Sequence, residues 1–346
     1  MITAKAFAGK QYAVYGLARS GLATVEALLA SGAKVAAWDA KEEARTELPA
    51  GATIADLDAA NLSQFDSLVV TPGLPLNRHP IAQRAREAGV EIIGDIELFA
   101  RARPELPPHK VVGITGTNGK STTTALVHHI LKTAGVPSAM GGNIGLPILA
   151  QDPLPEGGVY VLELSSYQID LTKSLDCDVA VLLNITPDHL DRYDSFEAYA
   201  ESKLRLLKMQ TSGHAAIGQS NEYTQRIFYE QRGNPAKVGH ALLLALYGID
   251  TLSDYPQNEF PALQGPHNAE NAAAGVFAAL WLDVPDDEIQ RGLRTYPGLP
   301  HRMERVRELD GVAFINDSKA TNAEAAAPAL AAYPRVRWIV GGQAKA

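Results

Sequence analysis

The sequence predicts an α/β fold with parallel sheets, and three observations carry that prediction. Short apolar runs at 12–15, 34–38, 68–70 and 90–93 alternate with stretches of helical period, the pattern of strands joined by helical crossovers. A second alternating series starts at 111–114, where an apolar run leads into Gly113-Ile114-Thr115-Gly116-Thr117-Asn118-Gly119-Lys120-Ser121-Thr122-Thr123 and a helix over 121–134. Past Gly298-Leu299-Pro300-His301-Arg302, runs at 312–315 and 336–340 enclose an Ala-rich helix, and one such unit cannot bury both faces of its own sheet. The chain therefore divides into a Rossmann-like N-terminal domain (1–93), a central P-loop ATPase-type α/β domain (94–302) and an incomplete Rossmann-like C-terminal domain (303–346).

Composition narrows the class. The 346 residues are 46% hydrophobic and 20% charged, ordinary for an α/β enzyme with sizeable cores. A net charge of −8 argues against a nucleic-acid partner. No run approaches the roughly 18 apolar residues of a membrane helix, and the start lacks a signal peptide's apolar core. The single cysteine, Cys177, allows no internal disulfide and fits a reducing compartment. The expectation is a cytoplasmic, monomeric protein acting on small molecules, with no membrane insertion.

In the first domain, the run at 12–15 is followed by Gly16-Leu17-Ala18-Arg19-Ser20-Gly21 and a helix to 31, and the run at 34–38 ends on Asp39. This is a dinucleotide-type turn with an acid placed to take a ribose hydroxyl. Ala18 stands where close approach of a pyrophosphate wants glycine, so the turn reads as a site for another nucleotide-like ligand rather than NAD. A purely structural turn is the bland alternative. The run at 68–70 opens into Thr71-Pro72-Gly73-Leu74-Pro75, a further loop at a strand's C-terminal end, before a helix at 80–88.

In the second domain, strand, glycine loop, Gly-Lys-Ser and helix form the layout of a phosphate-binding loop. Glycines let amides turn inward, and the helix N-terminus adds a positive dipole end. Lys120 is expected on the β/γ-phosphates and Ser121 on Mg²⁺; the alternative is a Gly-rich turn with a surface lysine. Gly113 and Gly119 enclose five residues where the strict pattern has four. Gly141-Gly142-Asn143-Ile144-Gly145 is another loop that exposes backbone. Glu163 ends the strand at 159–162, placed either to hold Mg²⁺ or to cap the next helix. The run at 179–183 gives way to Asn184-Ile185-Thr186-Pro187-Asp188-His189-Leu190-Asp191-Arg192, where His189 reads as a metal ligand or a plain surface turn. A helix over 195–207 puts Tyr199 and Lys203 on one face, and spacing alone makes Lys203 a solvated lysine. The segment 211–262 carries no motif. Asn268 is suited to capping a helix that runs to 282.

Taken in order, these motifs resemble the Mur ligases of peptidoglycan synthesis. The family signature Gly-Thr-Asn-Gly-Lys-Ser-Thr stands at 116–122, and ELSSYQ, NITPDHLDR, HNAEN and LPHR follow it. NDSKATN at 316–322 resembles the D-glutamate-adding branch, since other members and the folylpolyglutamate synthases place an Asp-Tyr-Ala-His-type sequence there. GDIELF at 94–99 is similar as well. The resemblance implies that ATP activates the L-alanyl carboxylate of UDP-MurNAc-L-Ala as an acyl phosphate, which the amine of D-glutamate then attacks. It implies ATP contacts at Gly116, Thr117, Asn118, Gly119, Lys120, Ser121, Thr122, Asn271, Arg302, Asp317 and Lys319. It implies UDP-sugar contacts at Gly16, Ser20, Asp39, Thr71, Gly73, Asn143 and His189. Ser121 and Glu163 would hold one Mg²⁺, and His189 with a carbamylated Lys203 a second, which reverses the spacing-only reading of that lysine. Lys120, His189 and Lys203 are the implied catalytic set. Asn268 and His301 accompany them without a firm assignment. Relatives continue past the position of Ala346 with much of the D-glutamate pocket, so this chain is expected to bind nucleotides and make little product alone. A sister ligase, a non-catalytic nucleotide-binding module and an NAD oxidoreductase are the competing readings.

Overall fold

The computed structural model describes residues 1–219, 221–232, 243–320 and 323–341. The first sheet has the order β3-β2-β1-β4-β5, all parallel. Its strands are β1 (Gln11–Tyr15), β2 (Lys34–Trp38), β3 (Thr53–Ile54), β4 (Ser67–Val70) and β5 (Glu91–Ile93), with helices α1 (Arg19–Ala30), α2 (Glu42–Arg45), α3 (Pro80–Glu87) and α4 (Asp95–Ala102) between and after them. Strand order reverses between β1 and β4, and a crevice opens at such a switch point. Gly16 and Thr71 line it from the two strand ends. Gly16 has φ 96°, and a Cβ there would stand 2.3 Å from Thr71 Oγ1, so no other residue fits this close approach.

The second sheet is also parallel, with the order β11-β10-β9-β6-β8-β7. It is built from β6 (His109–Thr115), β7 (Ser138–Gly142), β8 (Gly158–Glu163), β9 (Val179–Leu182), β10 (His214–Gly218) and β11 (Leu243–Tyr247). Helices α5 (Lys120–Thr133), α6 (Ser166–Asp170), α7 (Phe196–Lys208), α8 (Glu222–Arg232), α9 (Pro266–Trp281) and α10 (Asp286–Thr295) cover it. β6 is interior, and its last five residues are buried on both faces, which explains an apolar run without alternation. Val112 and Ile114 meet the core shared with α5, α9 and α10, while Val111 faces the core that contains Leu206 and Phe99. Gly275 and Gly292 let α9 and α10 close on Leu126 and Ile130 of α5. That packing fixes the helix behind the glycine loop.

Beyond the second sheet lie an antiparallel pair, β12 (Glu304–Leu309) and β13 (Val312–Asn316), and helix α11 (Ala323–Ala331). Asp310 (φ 50°) and Gly311 (φ 75°) form the two-residue turn between them, the Asp-Gly pair favoured at such hairpins. The strand expected at 336–340 does not form. The one paired edge of β13 is taken by β12, and Val336, Trp338, Ile339 and Val340 lie exposed with no ladder partner among the described residues. Thr321 and Asn322 of the NDSKATN stretch, Gly342-Gln343-Ala344-Lys345, and the first residues of the apolar run at 241–246 lie outside the described residues. Among the described residues no helix is long and apolar enough to cross a membrane.

The two large sheets are fastened through α4. Glu97, 1% exposed, accepts from the amides of Lys173 (2.7 Å) and Ser174 (2.9 Å), from Ser174 Oγ (2.9 Å) and from Arg101 Nε (2.8 Å). Arg101 in turn forks onto both oxygens of Glu91 at 2.6 and 3.0 Å and holds that carboxyl well below the usual carboxylate range. Glu97→Ala removes the buried acceptor for two amides and for Ser174 Oγ, and leaves half-buried Arg101 with Glu91 as its remaining partner. The expected loss is about 3 kcal/mol, read as a lowered denaturation midpoint. Asp152→Ala, which breaks only an exposed pair with the N-terminus, is expected to leave the midpoint in place.

Candidate active site

The glycine loop between β6 and α5 holds its shape through two left-handed turns and a set of bonds to the loop after β9. Gly116 (φ 154°) and Gly119 (φ 86°) take conformations that side chains avoid. The Thr117 amide donates to Asn184 O (2.9 Å) and the Asn118 amide to Asn184 Oδ1 (2.8 Å), while Asn184 Nδ2 returns a bond to Asn118 O (3.1 Å). Thr117 Oγ1 accepts from the Thr186 amide (3.0 Å) and lies 3.2 Å from Tyr199 Oη. Asn184 and Tyr199 are thus the scaffold of the loop. The sequence signal for Asn184 was its place at the end of a buried strand, a weak one for a lone amide.

Two ammonium groups converge beneath this loop. Lys120 Nζ donates to Gly116 O (3.0 Å) and Thr117 O (2.7 Å), and Lys203 Nζ donates to the same Gly116 O (2.8 Å). Lys203 is 2% exposed, with its nitrogen 4.6 Å from the centre of the Tyr199 ring. The spacing-only expectation of a solvated lysine is corrected: the α7 face carrying Tyr199 and Lys203 also carries Leu206 and packs inward. Burial first, and the charge of Lys120 second, push the Lys203 amine well below its ordinary pKa. Lys120 is lowered as well, by burial above all.

Glu163 ends β8 beside Ile114 of β6 and is 2% exposed. Its Oε1 accepts from Asn143 Nδ2 (2.8 Å), and its buried Oε2 has no hydrogen-bond partner. The capping alternative fails, because Ser165 caps α6 in a reciprocal box with Gln168. A buried carboxylate oxygen without a donor suits a cation. No cluster of three His, Cys, Asp or Glu exists among the described residues, so a metal here would complete its shell with hydroxyl, phosphate and water oxygens. Ser121 Oγ stands at the first turn of α5, 3.4 Å from Arg302 Nη2. His189 is half exposed at φ 53°, with Nε2 3.5 Å from the Asp188 carboxylate and its ring 6.4 Å from that of Tyr199. His189 and Lys203 therefore flank one aromatic ring.

A pocket opens directly over the loop, lined by Asn118, Gly119, Thr122, Asn271, Arg302 and Asp317. Leu183, Tyr296 and Leu299 supply apolar walls. Six of the expected ATP-site residues thus meet in one cavity. Lys319 does not line it, and its amide donates to His301 O (3.1 Å). Asp317 Oδ1 accepts from the Met303 amide (3.0 Å). Arg302 Nε is buried without a partner, a second unmet demand, here for an anion. Asn271 Oδ1 accepts from Thr123 Oγ1 (3.2 Å), and its Nδ2 donates to Asn268 Oδ1 (3.1 Å). Asn268 is not a helix cap: Gly265 occupies that position with Pro266 after it, and Asn268 sits inside the first turn. His267, not singled out from the sequence, lines the pocket with its buried Nδ1 unpartnered.

The N-terminal residues gather across the cleft. Ser20 and Thr71 border one small recess behind the glycine turn. Asp39 is committed to backbone: Oδ2 accepts from the Leu17 amide (2.7 Å) and Oδ1 from the Lys41 amide (2.9 Å), so it pins the turn. Gly73 is exposed at the tip of its loop. Arg19 Nη2 reaches Gly145 O (3.2 Å), bringing the turn against the loop that carries Asn143.

The same parts recur in known proteins. Residues 10–94 match the MurD-like Mur ligase N-terminal domain, and residues 114–241 match the Mur ligase middle domain. The whole chain is 59% identical to a UDP-N-acetylmuramoylalanine--D-glutamate ligase of Novosphingobium aromaticivorans, covering 77% of it. It is 59% identical to the enzyme of that name from Sphingopyxis alaskensis, covering 79%, and 44% identical to that of Caulobacter vibrioides, also covering 79%. The chain belongs to the Mur ligase family. Solved Mur ligases share the fold: a UDP-N-acetylmuramate:L-alanyl-gamma-D-glutamyl-meso-diaminopimelate ligase (MPL) from Neisseria meningitides at TM-score 0.56 and 20% identity, over 84% of this chain and 99% of that one, and MurF from Acinetobacter baumannii at 0.55 and 18%, over 93% and 67%.

Within the glycine loop of this Mur ligase the tightest steric demand falls on Gly119, where a Cβ would lie 2.2 Å from Asn271 Oδ1 and φ is 86°. Gly119→Ala must strain the backbone and push α9 away from the loop. ATP binding is expected to weaken by about a hundredfold, the equivalent of roughly 3 kcal/mol, with uridine-nucleotide affinity unchanged. Titration calorimetry with each nucleotide checks both halves.

Proposed function

We propose that this Mur ligase joins D-glutamate to UDP-N-acetylmuramoyl-L-alanine at the expense of ATP, acting in the cytoplasm as a monomer. A carboxylate oxygen of the L-alanyl group attacks the γ-phosphorus, ADP departs, and an acyl phosphate results. The D-glutamate nitrogen then adds to the acyl carbon, loses a proton, and inorganic phosphate leaves as the amide forms. The observation that carries this reading is the charge imbalance at the ends of β6 and β8. The Lys120 ammonium and an unsatisfied arginine Nε await anions, and a bare carboxylate oxygen awaits a cation, at one cleft. Relatives named as D-glutamate ligases support the choice of amino acid.

In this reading the loop amides and Lys120 hold the β- and γ-phosphates, and the Asn271–Arg302–Asp317 pocket takes the nucleoside with Lys319 beside it. Phosphoryl transfer needs alignment and charge neutralisation more than covalent help. Ser121 and Glu163 at one position, and His189 and Lys203 at another, would hold Mg²⁺, which would neutralise the charge that builds on the transferred group. A lysine suits that task only after modification. Its neutral amine adds to CO₂, forming an N–C bond and losing a proton, and the carbamate presents anionic oxygens. The lowered pKa of Lys203 supports the step, because only the unprotonated amine is nucleophilic. Gly16, Ser20, Thr71 and Gly73 receive the UDP-sugar with Asn143 and His189 opposite, while Asp39 shapes the turn.

The assay is ADP release with UDP-MurNAc-L-Ala, with and without D-glutamate, on the 346-residue chain and on a version extended to the relatives' length. Release that requires both substrates, and that disappears in Lys120→Ala while UDP-sugar affinity stays within about twofold, is the expected result. Saturable NAD binding without uridine competition, or an unchanged rate in Lys120→Ala, overturns the reading. Lys203→Ala is expected to lose activity and to regain part of it with added short carboxylates, which replace the missing oxygens. No rescue at any carboxylate concentration counts against the carbamate.

A further inference from the structure

The loop carrying His189 and the loop after β4 are interlocked by side chains that each reach the other's backbone. Arg192 Nη2 leaves its own sheet to donate to Leu74 O (2.8 Å), and Nη1 lies 3.4 Å from Gly73 O. In return, Asn77 Nδ2 and Arg78 Nη2 donate to Asp191 O at 3.1 and 3.0 Å. The Arg192 guanidinium also lies 4.3 Å from the centre of the Tyr167 ring, and that ring sits 5.1 Å from the imidazole of His189. The Arg192 amide closes the turn by donating to His189 O (2.9 Å).

We propose that Arg192 is a positioning residue that couples occupancy of the Thr71–Leu74 loop by the sugar nucleotide to the pose of His189. The inference rests on the assignment of that loop to the UDP-sugar. Three features make the contact more than a fastener. The acceptors are the carbonyls of Gly73 and Leu74 themselves, so any settling of the loop around a ligand moves the groups that hold the guanidinium. Gly73 has open space where a side chain would be, so a shift of its backbone meets no steric clash at that point. At the other end, His189 is held at φ 53°, a conformation that persists only while its surroundings hold it there. Its neighbours in that task are Tyr167 and the Arg192 turn. An arginine is required because one planar fork must serve two carbonyls and stack on a ring, which a lysine cannot do.

The test is a binding cycle on the full chain by calorimetry, using a non-hydrolysable ATP analogue and UDP-MurNAc-L-Ala, each alone and each with the other saturating. In the unmodified chain either ligand is expected to tighten the other at least about fivefold, equally in both directions. Arg192→Lys is expected to reduce that factor to about one while leaving each single-ligand affinity within about twofold. Asn77→Ala, which loosens the interlock from the opposite side, is expected to lower the factor in the same direction by less. A purely structural role would shift single-ligand affinities or stability and leave the factor alone. Undiminished coupling in Arg192→Lys, or no coupling in the unmodified chain, overturns the proposal. Failure of the unmodified chain to bind UDP-MurNAc-L-Ala at all would instead refute the sugar-nucleotide assignment.

Discussion

Two lysine nitrogens share one carbonyl, that of Gly116, at the floor of the glycine loop. Loss of water drives each towards its neutral form, and Lys203, the less exposed of the two, also feels the charge of Lys120. A site in that condition is stabilised by whatever brings negative charge into it. The strain is held in place by the surroundings: Tyr199 packs below Lys203 and touches Thr117, Asn184 ties down the loop amides, and Asn271 presses on Gly119. Loosening any of these gives the ammonium groups room to separate.

The sheets explain why this tension sits where a substrate can reach it. Both are parallel, so each presents its loops at the C-terminal edge. The Glu97–Arg101–Glu91 network fastens one sheet to the other, and contacts from Arg19 and Arg192 draw their loops together. The glycine turn of the first sheet thereby faces Asn143 and His189, and the phosphate loop lies behind them.

Much of this was legible in the residues. Gly116, Gly119 and Lys120 announce a loop because few backbones other than a phosphate cradle need that spacing, and Glu163 could be placed at a strand end from the apolar run before it. Lys203 could not be read from spacing. An amphipathic helix gives the same period whether the face with Tyr199 and Lys203 meets water or the sheet, and it is packing that turns this face inward. Asn184 and His267 were missed because a lone polar residue at a strand end or helix start has many uses. Asn268 has the chemistry of a cap, but Gly265 followed by Pro266 is the stronger start signal and sets the helix three residues earlier. The Asp310-Gly311 pair marks a hairpin that the apolar run at 312–315 obscured. The run at 336–340 has strand composition, but composition supplies no partner edge.

The central claim is that burial and the neighbouring Lys120 push the Lys203 amine well below its ordinary pKa before any ligand arrives. The most direct measurement is the titration of Lys203 itself, followed by NMR in protein with labelled lysine side chains, in bicarbonate-free buffer without nucleotide. Its signal is assigned by its loss in Lys203→Arg. The account predicts a Lys203 titration well below that of the exposed lysines, with an upward shift when Lys120 is replaced by methionine. A Lys203 that titrates together with the exposed lysines, indifferent to residue 120, would contradict it.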